Sequence, residues 1–579
     1  MTLGMSFIPR TFVAAAALAL SSLSIACNAQ SAPPAETSAT APLGKGVVSS
    51  ADPRATAAGQ EILRKGGSAA DAAMAMMLAL TVVEPQSSGI GGGGLLLHHD
   101  AATGTLATID GREMAPASAS EKLLLGADGK PLPFIEAFQG GRSVGVPGNI
   151  RLMAMAHQKW GKLPWADLFG PAIRLAEEGF VVNDALARAL ARLAPIWARF
   201  PDARAIYWNA TGPKKVGDRV TNPALAELLR AVAKGGPDAF YTGKNGQALA
   251  DAVTKASVNP VPMTMADLAA YKAKERPPVC SRYRGYKICG MGPPSSGATT
   301  VQQILGMLEP HDIGALGPDN AKTWHLIGEA MQLAYADRES YLGDADFVSV
   351  PVNGLLDPAY VKSRAALIDP DKALNTYEAG TPPGSEPRTA ALSSEVAGTT
   401  HFVAVDGAGN IVSMTSTVEG PFGSQLIANG YFLNNELTDF TFAPEKNGKK
   451  VANRVQPGKR PLSSMSPHIV YDAQDRPVLA VGSAGGKRII MHVTKALIGV
   501  IDFKLPAGEA LALPNIYFGN GSLIVEGKTP LGGMNEALAA FGQPVVVDEL
   551  GSKLNAAQFN GKGWTGYADP RSPGVALAE

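Results

Sequence analysis

The segment 398-GTTHFVAVDGAGNIVSMTSTVEG-420 is patterned as two short strands around a turn. Residues 406–410, DGAGN, are turn formers. With the strands symmetric about Ala408, Val405 faces Ile411, Val403 faces Ser413 and Thr399 faces Thr417. Opposed side chains share one face of a sheet, so this register brings two threonine hydroxyls within reach of each other. Glu419, two residues beyond Thr417, then points the same way. Threonine is a common strand residue, and a solvent-facing Thr–Thr pair on an edge hairpin is the plain alternative. The chemical reading starts from the weakness of a threonine hydroxyl as a nucleophile without a base. If Thr399 is the first residue of a chain, its own amine, with an ordinary pKa of about 8, supplies that base. This requires a cut after Gly398, where glycine leaves the carbonyl sterically open. The preceding stretch, residues 380–398 (GTPPGSEPRTAALSSEVAG), is polar and rich in Pro and Gly, and reads as an exposed, cuttable tail.

The rest of the chain gives this hairpin a large globular setting. Of 579 residues, 46% are hydrophobic and 18% charged, which suits a soluble protein with a sizeable core. Lys+Arg and Asp+Glu are both 51, so the charge balance lacks the basic footprint of a nucleic-acid binder. Residues 1–29 read as a secretory signal: Arg10 supplies the positive start, and the apolar run Phe12–Ala26 is too short for a bilayer span. Cys27 after Ala26 offers lipid attachment as an alternative, but the residue three before it is Ser24, so simple secretion to the periplasm or medium is the preferred reading. Residues 30–43 form a Ser/Ala/Pro linker expected to be disordered. No later segment reads as a membrane span; Met74–Val83 is apolar but short, and reads as a buried helix.

Cys280 and Cys289 flank CSRYRGYKIC. With Arg284-Gly285 at the centre of a two-residue hairpin turn, they face each other across the strands. A cross-strand disulfide suits an exported protein. Two free buried thiols are the alternative, because a one-residue change in the turn misaligns them.

Helical signals dominate from Gly44 to about residue 380: Ala55–Lys65, Ala69–Val83, Ala321–Leu342, and a helix capped at Asp357-Pro358. Strands are expected at Gly94–His98, Leu106–Asp110, His468–Tyr471 and Val478–Gly482, with a helix at Arg488–Ile501. Three short motifs point elsewhere and are set aside. Gly89, Gly91 and Gly94 match GxGxxG, but a helix precedes them and a strand follows, the reverse of a dinucleotide fingerprint. Residues 141–145, GRSVG, match the serine-hydrolase GxSxG, but Pro147 and Gly148 separate the serine from the next helix. His98-His99-Asp100 lacks metal-ligand spacing and reads as a polar strand end.

A series of segments from about Val47 to Arg571 resembles the gamma-glutamyltransferase family of N-terminal-nucleophile hydrolases. They are 84-EPQSSGIGGGG-94, 110-DGREMAP-116, 145-GVPG-148, 293-PPSSG-297, 398-GTTHFVAVD-406, 434-NNELTDF-440, 459-KRPLSSMSP-467, 482-GSAGG-486 and 568-ADPR-571. The resemblance implies an α+β fold, a four-layer αββα sandwich. It implies a precursor that cleaves itself before Thr399 into a large subunit (44–398) and a small catalytic subunit (399–579) that stay together as a heterodimer. Thr399 is then the nucleophile and Thr417 its hydrogen-bond partner. Gly485 and Gly486 resemble the backbone oxyanion hole, where amide donors stabilise developing charge. Arg112 resembles the clamp on the substrate α-carboxylate, a role that suits a guanidinium fork. Ser463 and Ser464 help hold that carboxylate; Asp439 binds the α-ammonium, with Glu436 and Glu419 nearby.

Neither a metal nor an organic cofactor is implied. The expected substrates are glutathione and related γ-glutamyl amides, with amino acids or peptides as acceptors. Two departures stand out. Some family members carry an amide where this chain has Glu419 and Glu436, and the stretch after Asp439, residues 440–462, has no aromatic beyond Phe442 to close a lid. The rival readings are a glutaryl or cephalosporin acylase of the same fold, and a non-catalytic exported binding protein that remains one chain.

Overall fold

The helix following Gly66-Gly67 starts with a reciprocal cap. Ser68 Oγ accepts the Asp71 N–H, and the Asp71 carboxylate accepts the Ser68 N–H. All fifteen residues of this helix, Ala69–Val83, are buried, so its sequence needs no polar face. The computed structural model describes residues 46–390, 398–519 and 521–579. The expected leader, the linker and Cys27 lie outside the described residues. Among those residues no helix is long and apolar enough to cross a membrane.

Two antiparallel sheets carry the architecture. The strands, in chain order, are β1 (Val47–Ser50), β2 (Gly93–His99), β3 (Leu106–Gly111), β4 (Lys274–Arg276), β5 (Val279–Tyr283), β6 (Tyr286–Gly290), β7 (Thr400–Val405), β8 (Ile411–Thr417), β9 (His468–Tyr471), β10 (Pro477–Gly482), β11 (Asn555–Phe559), β12 (Trp564–Ala568) and β13 (Val575–Ala578). The first sheet has seven strands in the order β13-β1-β7-β8-β2-β3-β4, and the second has six in the order β12-β11-β10-β9-β6-β5. The helices that cover them are α1 (Pro53–Arg64), α2 (Ala69–Val83), α3 (Asn149–Trp160), α5 (Gly297–Leu308), α6 (Ala321–Tyr341) and α8 (Ile489–Ile501). Two further helices, α4 (Asp184–Leu193) and α7 (Pro358–Ala365), complete the set used below.

Strand alternation sorts the layers. Val48, Leu96, Phe402, Ala404, Val412 and Met414 pack in one core with α1, α2 and α3. Their sequence neighbours Val47, Leu95, Leu97, Val403, Val405 and Ile411 lie in a second core. That core continues through Ile288, Ile469 and Val481 of the other sheet to α5, α6 and α8. The order of layers is therefore helix, sheet, sheet, helix, as in the αββα sandwich.

The decisive hairpin sits at the centre of the first sheet, not at an edge. Its observed register pairs Val405 with Ile411, Val403 with Ser413 and Thr400 with Ser416, as the symmetric turn requires. The cysteine hairpin also keeps its expected register: Cys280 faces Cys289 and the two form a disulfide, with Cα atoms 4.2 Å apart. Arg284 (φ 50°) and Gly285 (φ 85°) both take the left-handed turn conformation that a two-residue hairpin favours.

One expectation fails at the end of the supposed tail. Gly398 is buried, so the exposed stretch does not extend to the Gly398–Thr399 bond. The cause is close backbone approach: a Cβ at position 398 would run into the Glu419 carbonyl oxygen. Residues 391–397 lie outside the described residues.

Candidate active site

Thr399 stands one residue before β7 and Thr417 ends β8. Their hydroxyl oxygens are 3.0 Å apart, a hydrogen bond in a site where Thr399 is only 4% exposed. The Thr399 N–H donates to the Ser87 carbonyl at 2.9 Å, and the same carbonyl accepts the Val418 N–H at 3.3 Å. One oxygen from the segment after α2 thus ties both ends of the hairpin together. Thr399 has φ 87°, a left-handed conformation that a β-branched residue adopts only under constraint. Such strain costs on the order of 1–3 kcal/mol and persists where the surroundings over-determine it.

Glu419 reaches the site by a route that strand alternation does not describe. The strand stops at Thr417, and Glu419 turns into the left-handed region with φ 75°. Its N–H donates to Thr417 Oγ1 at 2.8 Å, and its carboxylate accepts from Asn435 Nδ2 at 2.5 Å. Thr399, Thr417 and Glu419 still line one pocket, together with Arg112, Glu436, Asp439, Ser463, Ser464 and Gly486. The pocket is small, with about 10 Å³ of free space.

Charge closes it. Arg112, 1% exposed, bonds to Glu436 through Nη1 and to Asp439 through Nη2 at 2.5 Å. Its remaining donors reach the backbone carbonyls of Pro461 (3.2 Å) and Leu462 (2.8 Å). The carboxylate clamp and ammonium ligands expected from sequence are therefore adjacent, but in this structure they neutralise each other. Ser464 is held by Arg338 from α6, whose Nη2 donates to its Oγ at 2.7 Å. Ser463 Oγ accepts the Met465 N–H at 3.1 Å. Gly486 lines the pocket, whereas Gly485, with φ 134°, lines the open cleft next to it.

Two residues of the site, Glu113 and Asn435, carried little sequence signal. Glu113 is fully buried beside Arg112, and neither of its oxygens meets a donor hydrogen in its ionised form. Burial pushes its carboxyl up to about 7, only partly offset by the Arg112 charge. Burial likewise holds Glu436 well above the usual carboxylate range, against the pull of Arg112. A proton shared by Glu113 and Glu436 removes the clash of two buried anions and supplies the missing donor. Asn435 bridges the acids to the hairpin, since its Oδ1 accepts the Gly420 N–H at 2.9 Å. His401 is close in sequence to Thr399, but burial lowers it to about 3 and it bonds Thr415 Oγ1 at 2.9 Å. It is held neutral as part of the core.

The motifs set aside have structural uses. A Cβ at Gly91 or Gly92 would strike the backbone of Phe432 or Thr417, so these glycines admit the chain beneath the hairpin. Ser143 is buried and donates to the Phe138 carbonyl at 2.6 Å. His98 stacks on Trp160 with ring centres 4.0 Å apart.

The layered fold with a threonine at the head of a central strand defines a class, the N-terminal-nucleophile hydrolase fold. Comparison with known proteins narrows it. The gamma-glutamyltranspeptidase family profile matches residues 55–579. The chain is 38% identical over 481 residues to the glutathione hydrolase proenzyme of Bacillus subtilis (strain 168), covering 82% of this chain and 80% of that protein. It is 38% identical over 541 residues to the glutathione hydrolase proenzyme of Escherichia coli (strain K12), covering 91% and 90%. Among solved structures it superposes on the cephalosporin acylase from Bacillus halodurans with a TM-score of 0.83 and 27% identity, over 95% of this chain and 98% of that one. The chain belongs to the gamma-glutamyltranspeptidase family and is an enzyme.

Proposed function

We propose that the chain hydrolyses or transfers the γ-glutamyl group of glutathione and related γ-glutamyl amides, with Thr399 as the amino-terminal nucleophile of a self-cleaved precursor. In maturation, Thr399 Oγ1 attacks the Gly398 carbonyl carbon, the Gly398 acyl group moves from nitrogen to oxygen, and water hydrolyses that ester. The products are a large piece, 44–398, and a small piece, 399–579. The strained Thr399 backbone and its buried, hydrogen-bonded junction favour an intramolecular cut over attack by an outside protease. The freed amine then accepts the Oγ1 proton as the oxygen attacks the substrate γ-carbonyl, and passes it to the leaving nitrogen as the C–N bond breaks. Water or an acceptor amine resolves the threonyl ester. Thr417 orients the hydroxyl, and the amides at Gly485 and Gly486 receive the developing negative oxygen.

The observation that carries this reading is the Arg112–Glu436–Asp439 cluster beside the Thr399–Thr417 hydrogen bond. A γ-glutamyl group carries one carboxylate and one ammonium. Its carboxylate can replace the acids on Arg112, assisted by Ser463 and Ser464, while its ammonium takes up Asp439, Glu436 and Glu419. A γ-glutamyl head group with one carboxylate and one ammonium carries no net charge, so the exchange leaves the net charge of the pocket unchanged. A glutaryl group, lacking the ammonium, would take Arg112 and strand the acids unpaired, at a cost of several kcal/mol. Glutaryl transfer is thus disfavoured here by the residues themselves.

The test is kcat/KM for γ-glutamyl and glutaryl anilides. The γ-glutamyl compound should be favoured by at least about a hundredfold. Asp439→Asn should shrink that ratio mainly by weakening γ-glutamyl turnover. Comparable wild-type rates on the two compounds would give the lead to the acylase reading.

A further inference from the structure

The last turns of α6 grip two walls of the pocket at once. Arg338, fully buried in the final turn, donates through Nη2 to Ser464 Oγ at 2.7 Å and through Nε to Ser296 Oγ at 2.9 Å. Its neighbour Glu339 accepts from Arg338 Nη1 at 2.7 Å and from Lys487 Nζ at 2.8 Å. Tyr335, one turn earlier on the same helix face, donates to the Lys487 carbonyl at 2.5 Å. Ser464 belongs to the wall assigned to the substrate carboxylate, and Lys487 directly follows Gly486 of the wall assigned to the oxyanion. Arg338 itself does not line the pocket.

These contacts fix which way the serine hydrogens point. A guanidinium has donors only, so in both bonds the serine oxygen is the acceptor. A hydroxyl that accepts at one lone pair keeps its single hydrogen to give. Ser296 gives its hydrogen to the Ser463 carbonyl at 2.8 Å. The Ser296 N–H reaches the same carbonyl at 2.7 Å, and the Ser463 N–H donates to the Pro294 carbonyl at 2.9 Å. The backbone at 463 is thereby held at both its polar groups. Ser463 Oγ and Ser464 Oγ each accept from the protein, from the Met465 N–H and from Arg338, and both residues line the pocket. Each has a hydrogen left to donate. Two hydroxyl hydrogens suit a group that only accepts, an ionised carboxylate; a carboxamide brings N–H donors of its own to a surface whose oxygens are already engaged.

We propose that Arg338 is a positioning residue that sets the specificity of the serine wall: by engaging the Ser464 oxygen, and by fixing the backbone of Ser463 through Ser296, it turns that wall into a surface of donors that selects an ionised α-carboxylate over an α-carboxamide. The inference rests on the γ-glutamyl reading above and adds what gives the carboxylate end its polarity. Arg338→Lys keeps a positive charge beside Glu339, but one ammonium cannot reproduce the fork that meets Ser296, Ser464 and Glu339 together. Ser464 Oγ, released from that bond, is then free to accept from an amide N–H.

The experiment measures kcat and KM for γ-glutamyl-p-nitroanilide and for its α-carboxamide analogue, with wild type, Arg338→Lys and Ser296→Ala. Arg338→Lys should raise the KM of the γ-glutamyl compound by about tenfold, the worth of one hydrogen bond to a charged group, with kcat within about twofold of wild type. The preference for carboxylate over carboxamide in kcat/KM should fall by about the same factor. Ser296→Ala, which removes one small hydroxyl, should raise KM by about threefold, and it decides the matter if Arg338→Lys does not fold. A KM and a preference equal to wild type in the folded variants would overturn the positioning role, and so would a loss of kcat with both unchanged. A wild type that turns over glutaryl anilide and not the γ-glutamyl compound would overturn the γ-glutamyl reading instead. Glutaryl carries a carboxylate of its own, so an Arg338→Lys KM for it equal to wild type would then overturn the role of Arg338 as well.

Discussion

The two spaces that meet at the Gly398–Thr399 bond are built on opposite terms. The inner pocket has about 10 Å³ free, and its ionisable groups, Arg112, Glu419, Glu436 and Asp439, are all buried and set against one another. The outer cleft has about 530 Å³, and of the arginines that line it Arg188 and Arg192 are exposed. Buried charges interact strongly and are costly to leave unpaired; exposed ones are screened and individually weak. The difference teaches where specificity is concentrated. On the proposed function, recognition of the acyl half would be a swap of buried partners, which would reject a substrate lacking either charge.

The contrast can be broken first at Arg112. Arg112→Lys keeps the charge but cannot span Glu436, Asp439 and two backbone carbonyls with one ammonium. We expect γ-glutamyl turnover to be lost and stability to fall by about 2–4 kcal/mol, read from denaturant unfolding. Stability and turnover both close to wild type would mean the inner charges are as loosely held as the outer ones.

Thr417→Ala sharpens the account one step down. The protein should fold, and kcat should drop by the worth of one hydrogen bond to a reacting group, about 1.5–3 kcal/mol, with KM less affected. Steady-state kinetics equal to wild type would leave the 3.0 Å hydroxyl contact without a catalytic role.

The smallest effect concerns the shared proton. Glu113 has its carboxyl raised to about 7 in the folded protein, above its ordinary value near 4.5. A raised carboxyl contributes stability that is complete below its unfolded pKa and is lost as pH rises through the folded one. Wild type should therefore lose stability between about pH 5 and pH 8, and Glu113→Gln should lose less, the gap being on the order of 1–3 kcal/mol. Parallel Tm-versus-pH curves would show that Glu113 is already ionised.

Much of this was legible in the sequence where local rules decide. The DGAGN turn sets the register of β7 and β8, and Arg284-Gly285 sets that of the cysteine hairpin, because turn geometry fixes strand pairing within a few residues. The helix Ala69–Val83 was readable after the Gly66-Gly67 break, and the burial of its Met74–Val83 part from its apolarity. What sequence reading missed depends on distance in the chain. Arg112 and Glu436 are 324 residues apart, and nothing local says that the carboxylate clamp and the ammonium ligands neutralise each other. Glu113 stood inside a quoted segment, but its burial, which raises its carboxyl, is a property of the packed interior. The burial of Gly398 was hidden by its polar neighbours: composition described the tail, while the close approach of the Glu419 carbonyl decided the junction.

The central claim is that Thr399 becomes an amino terminus and does the chemistry. The direct test is denaturing electrophoresis with amino-terminal sequencing of purified wild type and Thr399→Ala. Wild type should give two pieces, the smaller beginning at Thr399 and running to Glu579, while Thr399→Ala should stay a single chain and turn over no γ-glutamyl anilide. A wild-type protein that remains one chain, or a Thr399→Ala variant that still splits at the same bond, would contradict the account.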